Sequence, residues 1–304
     1  MRVLILGGSG QLGQEVISNN NSDDLIFLNP KSSELNITKK ESLLDFLNKN
    51  EVNIVLNLSA FTNVDLAETN YQDAFEINAL GVENLTDILT NREIPLIHIS
   101  TDYVFGNNNF GPYQIHDNHS PINNYGKSKA EGEKIIIKSS INSIIIRTAS
   151  LYGSYGDNFL KTFVNKIINE KEMKIISDQQ ISLTWSYDLS KNIIKLLSTL
   201  ISRKNSRKLN ECNILHLVNT GYTNWFDVGI LIKAELKKLN IIQDLCNISS
   251  IKSADWITQT PRPLDSRLVF NGKIENLVDL KMPAWNKSLI KAIHYLVLKG
   301  NYEK

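Results

Sequence analysis

The stretch "RVLILGGSGQLGQEV", residues 2–16, decides the fold. Val3 to Leu6 form an unbroken apolar run into Gly7, Gly8, Gly10 and Gly13, and a helical pattern begins at about Gln11. Such a run reads as a strand buried on both faces. Small residues between that strand and the helix let the backbone approach a pyrophosphate at the positive helix N-terminus. The glycines fit G-x-x-G-x-x-G from Gly7 or G-x-G-x-x-G from Gly8. A glycine turn alone marks any tight bend; its place after the first strand and before a helix is what points to dinucleotide binding.

The same alternation continues outward. "LIFLN", "VNIVLNLSA", "PLIHIST" and "NSIIIRTAS" read as strands, separated by helical "ESLLDFLNKN", a long "YQDAFEINALGVENLTDILTN" and "KSKAEGEKIIIKSS". This order predicts an α/β, Rossmann-type doubly wound parallel sheet over residues 1–150. Beyond Tyr152 the alternation weakens: "NFLKTFVNKIINEK" and "NWFDVGILIKAELKKLN" look helical, with short strands "MKIIS" and "ILHLVN" between loops. Residues 151–304 are therefore expected to form a smaller mixed α/β, mainly substrate-binding lobe, with 186–220 returning to the main sheet.

Composition narrows the partners. The 304 residues carry 33 Lys plus Arg against 32 Asp plus Glu, so no overall field draws the chain to nucleic acid or an anionic membrane. No apolar run approaches a membrane span or a signal-peptide core, and a cytoplasmic location is expected. Cys212 and Cys246 stand alone, and the five histidines lack ligand spacing, so no metal site and no disulfide framework is expected.

Three further features surround the glycine turn. The second strand ends at Asn29, where an NAD site usually carries a carboxylate for the ribose hydroxyls. "NPKSS" offers Asn29, Lys31, Ser32 and Ser33 instead, which favours NADPH and leaves NADH possible. "HISTDYVFG" delivers Ser100, Thr101 and Asp102 to the C-terminal edge of the sheet, where open α/β folds bind ligands. A hydroxyl there can polarise a substrate carbonyl, and Thr101 is the candidate; a cap or turn role is the alternative. In "NNYGKSKAEGE", residues 123–133, Tyr125 and Lys129 lie one helical turn apart on one face. A phenol is a poor acid at neutral pH unless a cation favours its ionised form, and Lys129 could be that cation.

Glycine turn, strand-end hydroxyl and Tyr-x-x-x-Lys occur in the order of the extended short-chain dehydrogenase/reductase superfamily. "GGSGQLG", "LNLSAFTNVDLAE", "INALGVENL", "STDYVF", "YGKSKAEGE", "RTASLYG", "NFLKTFV" and "RPLDSRL" further resemble the dTDP-4-dehydrorhamnose reductase family over nearly the whole chain. The resemblance implies reduction of a 4-keto nucleotide sugar by a nicotinamide cofactor. It makes Tyr125 the general acid, Thr101 the polarising hydroxyl, and Lys129 both a depressor of the Tyr125 pKa and a ribose ligand. It further implies Gly7, Gly10, Gln11, Leu12 and Gly13 around the pyrophosphate, Asn36 and Ile37 beside the adenine, and Ser59, Ala60 and Thr62 along the cofactor's middle. Val64 and Asp102 would face the sugar.

Three departures fall on the expected substrate side. Ser150 in "RTASLY" stands where many members carry tryptophan, Ile115 replaces an acidic residue after "PY", and Leu183-Thr184 replaces Pro-Thr. Arg262 is either a diphosphate clamp or half of a structural salt bridge, while Trp225 reads as core packing. Glu15, linked in some relatives to a metal at a subunit contact, has no matching acidic cluster; a homodimer remains possible. The alternatives are a reductase of another nucleotide-linked keto sugar, or a non-catalytic cofactor-binding subunit resembling the methionine adenosyltransferase partner.

Overall fold

A computed structural model describes residues 1–107, 111–202, 212–241, 246–256 and 258–298. Five strands of the first half, β1 (Arg2–Leu6), β2 (Ile26–Leu28), β3 (Ile54–Asn57), β4 (Leu96–Thr101) and β5 (Ser143–Thr148), join Cys212–His216 in one six-stranded sheet. Its order is Cys212–His216, β5, β4, β3, β1, β2, and every pair is parallel. Strand order reverses at β1, which has β2 on one side and β3 on the other. The glycine turn leaves the sheet at that switch point, where open α/β sheets form their ligand crevice.

Alternate residues feed opposite faces, as the period of a strand requires. Val3, Ile5, Leu56, Ile144 and Ile146 pack with Leu12 and Val16 of helix α1 (Gln11–Ser18) and with Leu189, Ile193 and Leu196 of helix Ser186–Ser202. Leu4, Leu6, Val55, Leu96 and Ile145 meet Leu43, Val82, Leu85 and Leu89 on the other face. Each such fully buried aliphatic side chain contributes roughly 1.5–3 kcal/mol of transfer free energy.

A second core joins the helices Phe159–Asn169, Trp225–Lys238 and Trp285–Leu298 to the strand Glu172–Ile176 through Leu160, Val164, Ile175, Ile232 and Ile293. Glu172–Ile176 pairs in parallel with Asn247–Ile251, a strand whose polar sequence gave no signal.

The long helix expected over 71–91 is interrupted. Tyr71–Phe75 and Gly81–Asn91 are α-helical, but Glu76–Leu80 widens to a π-helix. Within it the buried Asn78 amide donates to the Phe61 carbonyl (3.1 Å) and to Ser128 Oγ (3.0 Å) and accepts from Phe61 N–H (2.9 Å). The inserted residue thus ties the loop after β3 to the helix Asn124–Lys138, a use typical of π segments near functional sites.

Candidate active site

A cleft of about 1060 Å³ opens at the C-terminal edge of the sheet. It is lined by the glycine turn with Gln11 and Leu12, Asn29, Lys31 and Ser32, Asn36 and Ile37, Ser59, Ala60, Thr62 and Val64, Thr101 and Asp102, Tyr125 and Lys129, Ser150 and Arg262, but not by Ser33.

The glycine turn is shaped by close backbone approach. Gly7 has φ +76°, and a Cβ there would lie 2.7 Å from Ser59 N. A Cβ on Gly13 would run into the Gly8 backbone and sit 2.6 Å from the Gly7 carbonyl, so helix and turn meet only through hydrogen atoms. At Gly8 an added Cβ would strike the Asn29 side chain. Gly10 caps α1 without a side-chain hydrogen bond, leaving the positive helix end facing the cleft. Among the described residues, Gln11 Nε2 and Ser100 Oγ are shielded from solvent and have no protein partner, though both residues line the cleft. A pyrophosphate-bearing cofactor fits this cradle: no carbon blocks the turn, and donors point at it.

Asn123 starts the helix Asn124–Lys138 by accepting from Gly126 N–H (2.8 Å), which places Tyr125 in the first turn. Its ring meets Tyr103 edge-on at 6.0 Å between centroids. Burial pushes the Tyr125 phenol up, partly opposed by its hydrogen bond with Thr101. Lys129 Nζ is turned to the Ile99 carbonyl (2.8 Å) and His98 Nε2 (3.2 Å), so burial and not a neighbouring cation is the main influence on the Tyr125 phenol. Burial lowers Lys129 itself to about 8, against the raising influence of Glu133. Thr101 Oγ1 donates to Asp102 Oδ1 (3.0 Å) and accepts from Tyr103 N–H (3.2 Å). Asp102, buried, is raised to about 6 by desolvation.

Arg262 reaches the cleft from the second lobe. Its Nη2 contacts both oxygens of Asp65 (2.9 and 3.1 Å), and Nη1 lies 3.4 Å from the Tyr103 hydroxyl. It therefore lines the cleft and forms an ion pair at once, whereas Arg267 pairs with Asp265 (2.7 Å) away from the cleft. Trp225 also does two things: it packs edge-on against Phe159 at 5.0 Å and lines the cleft. Ser150 faces the cleft with φ +42°.

Two of the three departures lie elsewhere. The Ile115 carbonyl accepts from Arg147 Nη1 (3.1 Å), and the residue borders a separate cavity of about 230 Å³. Leu183 is fully buried in the second core, and Thr184 Oγ1 bonds Thr148 Oγ1 (2.9 Å) beneath the cleft wall. Ile115, Leu183 and Thr184 do not line the cleft, contrary to their expected place on the substrate side. The buried Glu15 accepts from Asn19 (3.1 Å) and Ser186 (3.3 Å), joining α1 to the helix Ser186–Ser202. Sequence reasoning missed Tyr103, Asp157 and Phe159, which also line the cleft. Only Tyr103, directly after Ser-Thr-Asp, carried a local signal.

A parallel sheet with a glycine turn at its switch point and a Tyr-x-x-x-Lys helix beside a strand-end Thr defines the extended short-chain dehydrogenase/reductase class. The comparisons agree and go further. Residues 1–297 match the family model described as RmlD substrate binding domain. A dTDP-4-dehydrorhamnose reductase of Aggregatibacter actinomycetemcomitans is 31% identical, covering 95% of this chain and 97% of that one. A crystal structure of the dTDP-4-dehydrorhamnose reductase of Clostridium acetobutylicum superposes with a TM-score of 0.85 at 30% identity, over 98% of this chain and 100% of that one. That of Bacillus anthracis, in complex with NADP, gives 0.85 at 29%, over 97% and 99%. The chain belongs to the dTDP-4-dehydrorhamnose reductase family.

Proposed function

We propose that the chain reduces the 4-keto group of a nucleotide-linked 6-deoxy sugar with NADPH, converting dTDP-4-dehydrorhamnose to dTDP-L-rhamnose. The observation that carries the reading is the convergence of Thr101, Tyr125 and Lys129 in the same cleft as the glycine cradle. When bound, the nicotinamide supplies the hydride. Gly7, Gly10 and the N-terminus of α1 hold the pyrophosphate, and Asn29 and Lys31 accept a 2′-phosphate that a carboxylate would repel.

Burial keeps the Tyr125 phenol protonated, so it has a proton to give to the oxygen of the reduced carbonyl. Thr101 turns its hydroxyl from Asp102 to that same oxygen and orients it. Lys129 stabilises the phenolate left behind and bonds the cofactor ribose. Arg262 exchanges Asp65 for the sugar diphosphate, and Ser150 leaves room beside the sugar. The intact Thr101, Tyr125 and Lys129 weigh against a non-catalytic cofactor-binding role.

Cys246 is a buried free thiol, which suits the cytoplasm. No helix among the described residues is long and apolar enough to cross a membrane. A homodimer is the corresponding proposal for assembly, read by sedimentation. NADPH oxidation should accelerate on addition of dTDP-4-dehydrorhamnose and yield dTDP-L-rhamnose. A rate no faster than buffer would overturn the substrate assignment; turnover of another nucleotide keto sugar would then favour the second reading.

A further inference from the structure

Along the back wall of the cleft, four consecutive hydrogen bonds run from half-buried Ser59 through buried Asn57, His98 and Lys129 to half-buried Ile99. Ser59 N–H lies 3.0 Å from Asn57 Oδ1, Asn57 Nδ2 lies 3.1 Å from His98 Nδ1, His98 Nε2 lies 3.2 Å from Lys129 Nζ, and Lys129 Nζ lies 2.8 Å from the Ile99 carbonyl. Asn57 and His98 are 0% exposed, so neither can exchange a poor partner for bulk water; Lys129, 2% exposed, borders the cleft.

Both ends of the chain have fixed polarity. A backbone N–H can only donate, so the Asn57 atom facing Ser59 is the oxygen, and its NH₂ faces His98. His98 Nδ1 must then accept, which puts the ring proton of a neutral imidazole on Nε2, aimed at Lys129. Lys129 Nζ can receive that bond only through a lone pair, while one of its own N–H groups donates to Ile99. An ammonium at Lys129 would force the proton to Nδ1, leaving two donors opposed at Asn57 or, after an amide flip, at Ser59.

We propose that His98 is a positioning residue coupled to the Lys129 proton: its Nε2–H tautomer matches a neutral Lys129, and protonation of Lys129 drives the ring to the Nδ1–H tautomer. The groups set around Lys129 agree. His98 itself is held neutral by burial. Glu133, one turn along the same helix, is occupied by Arg147 (2.7 Å) and His119 (2.8 Å). Tyr125 on that helix and Asp102 on the following turn interact with Thr101. Glu68, from the segment packed on the helix start, accepts from Asn124 N–H (2.7 Å). Asn57 and Asn78 carry no charge. The consequence is a lysine that can take up a proton from the cleft while the ring proton of His98 shifts from Nε2 to Nδ1, so that Lys129 changes charge without a new side-chain partner.

The inference uses only the substrate-free protein, so it stands or falls apart from the reductase reading. Histidine-¹⁵N protein gives the His98 tautomer from long-range ¹H–¹⁵N correlations, and lysine-¹³Cε protein gives the Lys129 titration; His98→Gln and Lys129→Gln assign the signals. Above the Lys129 midpoint the ring should carry its proton on Nε2, and it should change tautomer with that same midpoint. Asn57→Asp places an acceptor opposite Nδ1, so it should fix the Nδ1–H form and raise Lys129 proton affinity about tenfold, one pKa unit. An Nδ1–H tautomer in the wild-type protein above the midpoint, or a tautomer that ignores the Lys129 titration, overturns the proposal. Those two readings come from the wild-type protein once its signals are assigned, and they decide the matter even if Asn57→Asp does not fold.

Discussion

The two halves of the cleft are assembled differently. The glycine-turn half is made by β1, β2, β3 and the loops directly after them, so its walls are backbone and its spacing is set by contacts such as the 2.7 Å approach a Gly7 Cβ would make to Ser59. The lobe half is made by side chains from distant segments: Tyr103, Ser150, Phe159, Trp225 and Arg262. A backbone template tolerates almost no added atom, whereas a side-chain wall can be rebuilt residue by residue. Substitutions should therefore act on cofactor binding sharply in the first half and on sugar choice gradually in the second.

Tyr125 stands where the halves meet, and its removal should have the largest effect. Tyr125→Phe deletes the proton donor while keeping the ring against Tyr103, so turnover should fall by roughly 10²–10⁴ with cofactor affinity nearly intact. Single-turnover rates alongside NADPH titration separate the two. Near wild-type turnover would end the proposed mechanism.

Gly13→Ala tests the template directly. The new methyl meets only backbone of Gly7 and Gly8, which cannot step aside cheaply. Its higher helix propensity is outweighed, and we expect a loss of stability of about 1–3 kcal/mol. NADPH affinity should fall by ~100-fold, close to 3 kcal/mol. Unchanged affinity by fluorescence titration would mean that the turn yields, and the contrast between the halves would lose its basis.

The contrast also explains what could be read from the chain. Gly7 to Gly13, Ser100-Thr101-Asp102 and Tyr125/Lys129 are short-range patterns whose spacing already implies their geometry, so strand ends, helix start and cleft followed from them. Phe159 and Trp225 reach the cleft through packing between the helices that carry them, and no local spacing reports such a contact. Ile115 and Leu183 illustrate the reverse error. Their chemistry was read by position in a motif, but Arg147 and the second core claim them. Lys129 lines the cleft, but its Nζ meets His98 and the Ile99 carbonyl, a choice that depends on β4 behind it and that no local spacing reports.

Asn29→Asp is the milder test of the glycine-turn half. Asn29 closes against Gly8 and carries no charge, so a carboxylate of the same shape adds repulsion toward a 2′-phosphate without moving the backbone. Preference should shift from NADPH toward NADH by about tenfold, an interaction of order 1.4 kcal/mol. Titrating both cofactors against both proteins measures it. A wild-type protein that already prefers NADH would remove the premise.

The smallest effect belongs to the lobe half, at the Arg262–Asp65 pair. Asp65 is 62% exposed in its side chain and Arg262 30%, so solvent screens the pair and breaking it should change stability by under ~1 kcal/mol. Its significance lies in competition. Arg262 spends Nη2 on both Asp65 oxygens and only reaches Tyr103 at 3.4 Å with Nη1, so a diphosphate must displace Asp65 to gain the guanidinium. Asp65→Asn keeps the shape and removes the competing charge. KM for the nucleotide sugar should drop by roughly two- to fivefold, with kcat unchanged, the pattern of a gain in binding shared by ground and transition states. Arg262→Ala should move KM the other way and by more, since it deletes the clamp itself. If Asp65→Asn instead raises KM, Asp65 serves to orient Arg262 for substrate. The lobe half would then be as tightly prearranged as the glycine turn, and the difference between the two halves would lie in sequence distance alone.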